Sequence, residues 1–271
     1  MRTTFIFALA IFSFFSGLAQ ERPEIYCKHF FYGYPYGTPA SNDLIIRDIY
    51  AMSNNDATKF ADWVAYRLTM HEVDGDLEVE RNWREDPWLA DNETLEPSPS
   101  SKDDYKDASS TLDVDRGHQA PLASFKGSRF ASQSNLLSNI TPQKKDLNQG
   151  PWKNLEEAVR DLVRTGKTVH VMTGPIYNES MPKLPNADED HKIPSAYWKV
   201  VIAITGDNSF ETAAFIMHQN SGRTDAIASK VVTIDEVEKQ SGLDLLWELP
   251  DADEANVESK KNAAWISTWV K

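Results

Sequence analysis

Residues Asp113–Phe125, DVDRGHQAPLASF, gather two aspartates, an arginine, a glycine and a histidine in six positions and then run into apolar sequence. A short strand ending in Arg116-Gly117-His118 presents a general base that titrates near neutral pH beside a permanent cation. Gly117 between them allows backbone or ligand to approach closely. Downstream, Asn148 opens a helix that also carries Glu156 and Arg160, an acid and a base at i,i+4. Brought onto one side of a fold, these residues form a candidate site.

The flanking sequence sets the scaffold. DLIIRDIYAMSNN, Asp43–Asn55, reads as one strand closing in a polar turn, and KFADWVAYRLTM then alternates Val64, Tyr66 and Leu68 onto one face, which predicts an antiparallel hairpin. Asp86–Ser110, rich in Pro, Ser, Asp and Lys, reads as a long surface loop of the kind that is often functional. Trp152, Leu155, Val159 and Leu162 fall at helical spacing and Gly166 ends that run, while Pro151 predicts an irregular start near Asn148. KTVHVMTGPIY, AYWKVVIAI and FETAAFIMH read as core strands. TIDEVEKQSG reads as a helix, with Thr233 as N-cap, Glu236 completing a capping box and Gly242 at the end. Together these elements predict an α+β domain, a central antiparallel sheet flanked by helices.

The chain begins MRTTFIFALAIFSFFSGLAQ, one basic residue, a short apolar run and then small residues, which predicts a secretory signal peptide over 1–20 and a single domain over 21–271. No second apolar run is long enough to span a bilayer, so the mature protein is expected to be secreted or periplasmic, with no membrane association after cleavage. Cys27 is the only cysteine, so an intrachain disulfide is impossible and a free or intermolecular thiol is expected. The net charge is −13, becoming −14 when Arg2 leaves with the signal (27 basic against 41 acidic residues). A polyanion is usually met by a basic surface, so this charge by itself argues against nucleic acid.

The motifs outweigh that objection. Asp115-Arg116-Gly117-His118 followed by QAPLAS, and LSNITPQKKDLNQGPWKNLE further on, resemble the two signature blocks of the DNA/RNA non-specific endonucleases, a branch of the ββα-metal nucleases. TKFADWVAY, RNW at Arg81–Trp83, IPSAYWKV and VTIDEVEKQSGL extend the likeness over about residues 45–250. The resemblance implies a ββα-metal (His-Me finger) active-site motif that hydrolyses phosphodiesters in DNA and RNA and leaves 5′-phosphates. It makes His118 the general base and Asn148 the direct ligand of one Mg2+, with Mn2+ as substitute. Glu156 reaches the ion through water, and Arg81, Arg116 and Arg160 neutralise phosphate. Asp115, Gly117 and Asn139 become structural neighbours of the site, and a homodimer is implied without a stretch that identifies its interface. An acidic hydrolase then needs only a local basic strip, which also eases product release.

Blander readings stand beside this one. His118 alone reads as structural, Asn148 as a helix cap and Glu156–Arg160 as a solvated pair. Asp113 reads as solvated charge, and HEVDGDLEVE, which carries His71, Asp74 and Asp76 at metal-like spacing, lacks a full calcium-loop pattern and reads as a turn. Asn92, Asn139 and Asn178 open glycosylation sequons, and a glycan at Asn139 would crowd the site. Two rival functions remain: an inactive module that binds nucleic acid or an inhibitor, and a phosphodiesterase acting on small nucleotides. Preference for polymer over dinucleotide separates the last from a nuclease.

Overall fold

In the computed structural model, residues 22–97 and 103–270 are described; the proposed signal sequence lies outside them. Nine strands and seven short helices follow one another along the described chain: β1 (Asp43–Ile46), β2 (Ala51–Asn55), β3 (Phe60–Leu68), α1 (Met70–Val73), α2 (Ala108–Thr111), β4 (Val114–His118), β5 (Ile140–Lys144), α3 (Lys145–Leu147), α4 (Lys153–Arg164), β6 (Val169–Ile176), β7 (Ala196–Gly206), β8 (Ser209–His218), β9 (Val231–Val232), α5 (Ile234–Ser241), α6 (Asp251–Glu258) and α7 (Ala263–Ile266). Seven strands form one antiparallel sheet in the order β1-β2-β3-β6-β7-β8-β9, and β4 and β5 form a separate hairpin.

The large sheet is covered on both faces. Val64, Tyr66, Leu68, Val171, Val201 and Phe215 meet Leu155, Val159 and Leu162 of α4 on one side. Trp63, Ala65, Met172, Trp198 and Ile216 meet Ile234 and Val237 of α5 on the other. This explains why the central strands read as near-continuous apolar runs: in β6 every residue is buried. A third cluster, including Phe60, Leu95, Tyr105, Val114 and Ile140, supports the β4–β5 hairpin.

The hairpin between β2 and β3 and the α+β architecture match the sequence pattern; four local expectations need correction. Asp43–Asn55 is two strands, because the chain turns back at Arg47, whose N–H donates to the Tyr50 carbonyl at 2.8 Å. The cause is long-range: the buried Arg47 guanidinium pairs with buried Asp86. The 86–110 segment, where described, is not merely a surface loop, since Leu95, Asp104, Tyr105 and Ala108 are buried and its end forms α2. His71 lies in a one-turn helix with a full Thr69–Glu72 capping box rather than in a turn, and Asp74 contacts Arg164. At α5, Thr233 Oγ1 accepts from the Glu236 N–H, but the Glu236 carboxylate takes Gln240 instead of closing the box.

Asn139 is fully buried and its amide donates to the Ala120 and Ser134 carbonyls, leaving no hydrogen for a glycan. Cys27 is unpaired and burial pushes its thiol upward. Among the described residues no helix is long and apolar enough to cross a membrane.

Candidate active site

Strand β4 and the start of α4 form two walls of a pocket of about 470 Å3. Arg81, Asp115, Arg116, His118, Asn148 and Glu156, six of the residues singled out in the sequence, line it. Arg160 is not among the lining residues, and Gly117 and Asn139 stand behind the wall. In the hairpin register Gly117 faces Thr141 and His118 faces Ile140. The Gln143 side chain crosses Gly117 so closely that a Cβ there would come within 2.2 Å of Gln143 Oε1. Space, rather than an unusual backbone angle, therefore demands glycine between the arginine and the histidine.

His118 Nε2 lies 3.0 Å from Asn135 Oδ1. The Asn135 amide nitrogen donates to the Glu80 carbonyl at 3.0 Å, which turns its oxygen toward the ring. An oxygen there requires a proton on Nε2, so Nδ1 carries the lone pair. The ring rests on Trp83, with centroids 5.4 Å apart. Burial lowers its pKa to about 4; the Asn135 bond opposes that shift and the Arg81 charge adds to it. Part of the ring's surface still faces the pocket, so the neutral imidazole is enclosed by protein yet reachable.

Arg116 donates to Asp103 at 2.7 Å and lies 4.9 Å from the centre of the Tyr105 ring and 5.7 Å from that of Trp83. Its Nε is buried without a partner. Asp115, expected as a structural neighbour of the site, accepts from the amides of Asn148 at 2.9 Å and Gln149 at 2.7 Å. A carboxylate can only accept, so it orients Asn148 with the amide nitrogen inward and leaves Oδ1 unengaged. Between Asn148 and Trp152 the helix widens into a π turn, with Gly150 out of helical geometry and Pro151 inside. Substituting Gly150 would bring a Cβ within 2.5 Å of the Arg223 carbonyl.

Glu156 follows on α4. Burial raises its carboxyl to about 7, and Lys199 and Arg160 pull it back down. Glu156 and Arg160 make no direct ion pair, and Arg160 Nη1 is buried without a partner. Asp113 is solvated charge, as expected, its exposed carboxylate pairing with Lys145 at the surface at 3.0 Å. Sequence reasoning overlooked Asn135, Trp83, Tyr105, Gln149, Lys153 and Lys199. For Lys199 the signal was present, a lysine inside the apolar run AYWKVV; Asn135 looks like any polar loop residue.

The groups of three acids or histidines close enough to share an ion lie elsewhere among the described residues, as at Asp43, Asp56 and Glu93. The pocket instead offers one outward amide oxygen with Glu156 nearby. That donor set suits a hard cation that keeps much of its own water and takes few protein ligands.

A mixed fold on a large antiparallel sheet, with a neutral histidine, arginines and an oriented amide in one polar pocket, defines a site suited to hydrolysing an anionic ester. The family model for DNA/RNA non-specific endonucleases matches residues 30–252. A nuclease of Serratia marcescens is 44% identical over 223 residues, covering 82% of this chain and 81% of that protein. Mitochondrial endonuclease G of Homo sapiens is 29% identical, covering 77% and 71%. The chain belongs to the DNA/RNA non-specific endonuclease family. A chain in the crystal structure of the EndoG/EndoGI complex shares the fold, with TM-score 0.65 and 22% identity over 81% of this chain and 90% of that one.

Proposed function

We propose that this family member is an exported endonuclease that hydrolyses DNA and RNA with one Mg2+ and leaves 5′-phosphate ends. The observation that carries the reading is the pairing in one pocket of a neutral His118, its free nitrogen set by Asn135, with an Asn148 oxygen set by Asp115. When bound, Mg2+, or Mn2+ in its stead, stabilises charge on the phosphate and the leaving oxygen. Asn148 Oδ1 would be its direct protein ligand and Glu156 would reach it through water.

The remaining work falls to the chain. His118 Nδ1 takes a proton from the attacking water, a step typically worth about 10²–10⁴-fold. Arg116 and Arg81, which line the pocket, neutralise the phosphate oxygens, and Arg160 adds a third positive charge that acts on Glu156. Asp115 and Asn139 are structural, and Gly117 makes room for Gln143. None of these contacts requires a particular base or a 2′-hydroxyl, so both polymers are substrates with little sequence preference. The local cluster of Arg81, Arg116 and Lys153 supplies the attraction that the overall charge does not. Export follows from the N-terminal sequence, with a single domain over 21–271. A homodimer belongs to the same reading.

End-group analysis tests the reading. Digests of plasmid DNA should carry 5′-phosphates that block labelling until phosphatase treatment, and a thymidine dinucleotide should be cut far more slowly than polymer. Products with 3′-phosphates would refute the assigned leaving group, and equal rates on the dinucleotide would favour a small-nucleotide phosphodiesterase.

A further inference from the structure

Lys199 sits on β7 in the middle of the sheet with none of its surface exposed. Its Nζ lies 3.4 Å from Tyr66 Oη, a weak contact, and 4.5 Å from the centre of the Trp152 ring. Among the described residues no carboxylate comes within 4.0 Å of it. Tyr66 is held neutral by burial and cannot act as counterion. Glu156 stands one helical turn beyond Trp152 and so on the same face of the helix.

A buried cation without a carboxylate in contact is costly, and an apolar residue of similar shape is often neutral or stabilising in its place. Stability alone therefore gives no reason for a lysine here. Its location does: Trp152 closes the π turn that Asn148 opens, and Glu156 lines the pocket.

We propose that Lys199 is a positioning residue that pins the Trp152 ring under the Asn148 turn and, through that ring, the first turns of α4 from which Glu156 projects. This rests on the reading above, in which Asn148 and Glu156 serve phosphodiester cleavage. The cation touches neither substrate nor reacting atoms and acts through those two residues.

Lys199→Met should keep or raise the melting temperature yet cleave plasmid ~10–100-fold more slowly, the usual cost of losing support behind a metal ligand. Lys199→Arg should recover part of that loss, and Lys199→Met combined with Glu156→Gln should be slower than Glu156→Gln alone by less than the full factor that Lys199→Met costs the wild type. Wild-type cleavage by Lys199→Met, or a full multiplicative loss in the double variant, would overturn the proposal. If Lys199→Met does not fold, 13C-lysine spectra of the wild type and Trp152→Leu decide instead. A displaced Lys199 Cε resonance supports the link, and an unmoved one refutes it. Those spectra are independent of turnover, so a wild type that cleaves no nucleic acid would remove the functional reading and leave the contact separately tested.

Discussion

Asn135 and His118 form a fixed pair: the imidazole Nε2 meets the amide oxygen at 3.0 Å, and the Glu80 carbonyl holds the amide nitrogen on its far side. The ring therefore has one available tautomer and its Nδ1 lone pair faces away from Asn135. NMR of metal-free protein should show an Nε2-protonated His118 that does not titrate between pH 7 and 5. Its folded pKa, about 4, lies below the ordinary 6.5. The neutral ring thus stabilises the fold in full above about pH 6.5, and that contribution is lost as the pH falls to about 4. Asn135→Asp should move the His118 midpoint upward and slow cleavage at neutral pH. A midpoint unchanged by that substitution would refute the pairing.

Gly117→Ala should disturb the site through Gln143. The added Cβ has no room beside the Gln143 side chain, and overpacking of this kind typically costs about 1–3 kcal/mol. Urea denaturation should register that loss, with slower cleavage as His118 moves. Shortening the neighbour as well, in Gly117→Ala with Gln143→Ser, should restore part of both. An unrescued double variant would place the cause elsewhere.

Asp115→Ala frees the amides of Asn148 and Gln149 together. The Mg2+ concentration for half-maximal activity should rise ~10–100-fold, as expected when support behind a metal ligand is removed. Melting temperature should change little by comparison. Unchanged Mg2+ dependence would show that the carboxylate does not orient the ligand.

Asp86→Ala strands the Arg47 guanidinium in the interior and removes the acceptor of Ser138 Oγ, which lies 2.5 Å from Asp86. Loss of one partner from a buried pair typically costs about 3–5 kcal/mol. Chemical denaturation should show a fall of that size, whereas Asp48→Ala, at an exposed pair with Lys28, should change stability by less than about 1 kcal/mol.

The parts of the fold written in local sequence were the readable ones. The α4 stripe, the Thr233 cap and Gly242 at positive φ follow from spacing and side-chain chemistry within a turn or two. The β1–β2 turn was not readable, because Arg47–Tyr50 contains no Gly, Pro or Asn and its geometry is imposed by Asp86, 39 residues away. The Thr69–Glu72 capping box was present in the sequence but straddled the end of a stretch read as strand and the start of one read for metal spacing. In the site, DRGH and the Asn148 block carry their own signature. Asn135 and Lys199 act through tertiary contacts with His118, Trp152 and Tyr66, which a linear motif does not encode.

The measurement that bears most directly on the whole account is digestion of plasmid DNA and total RNA by the mature protein, with Mg2+ or with chelator, beside His118→Ala and Asn148→Ala. The account predicts cleavage of both polymers that needs the metal and is lost, by ~10²-fold or more for the histidine, in both variants that remain folded. Cleavage that survives chelation or either substitution would contradict the assigned site, and no cleavage by the wild type across a range of salt and divalent metals would leave a nucleic-acid- or inhibitor-binding module in its place.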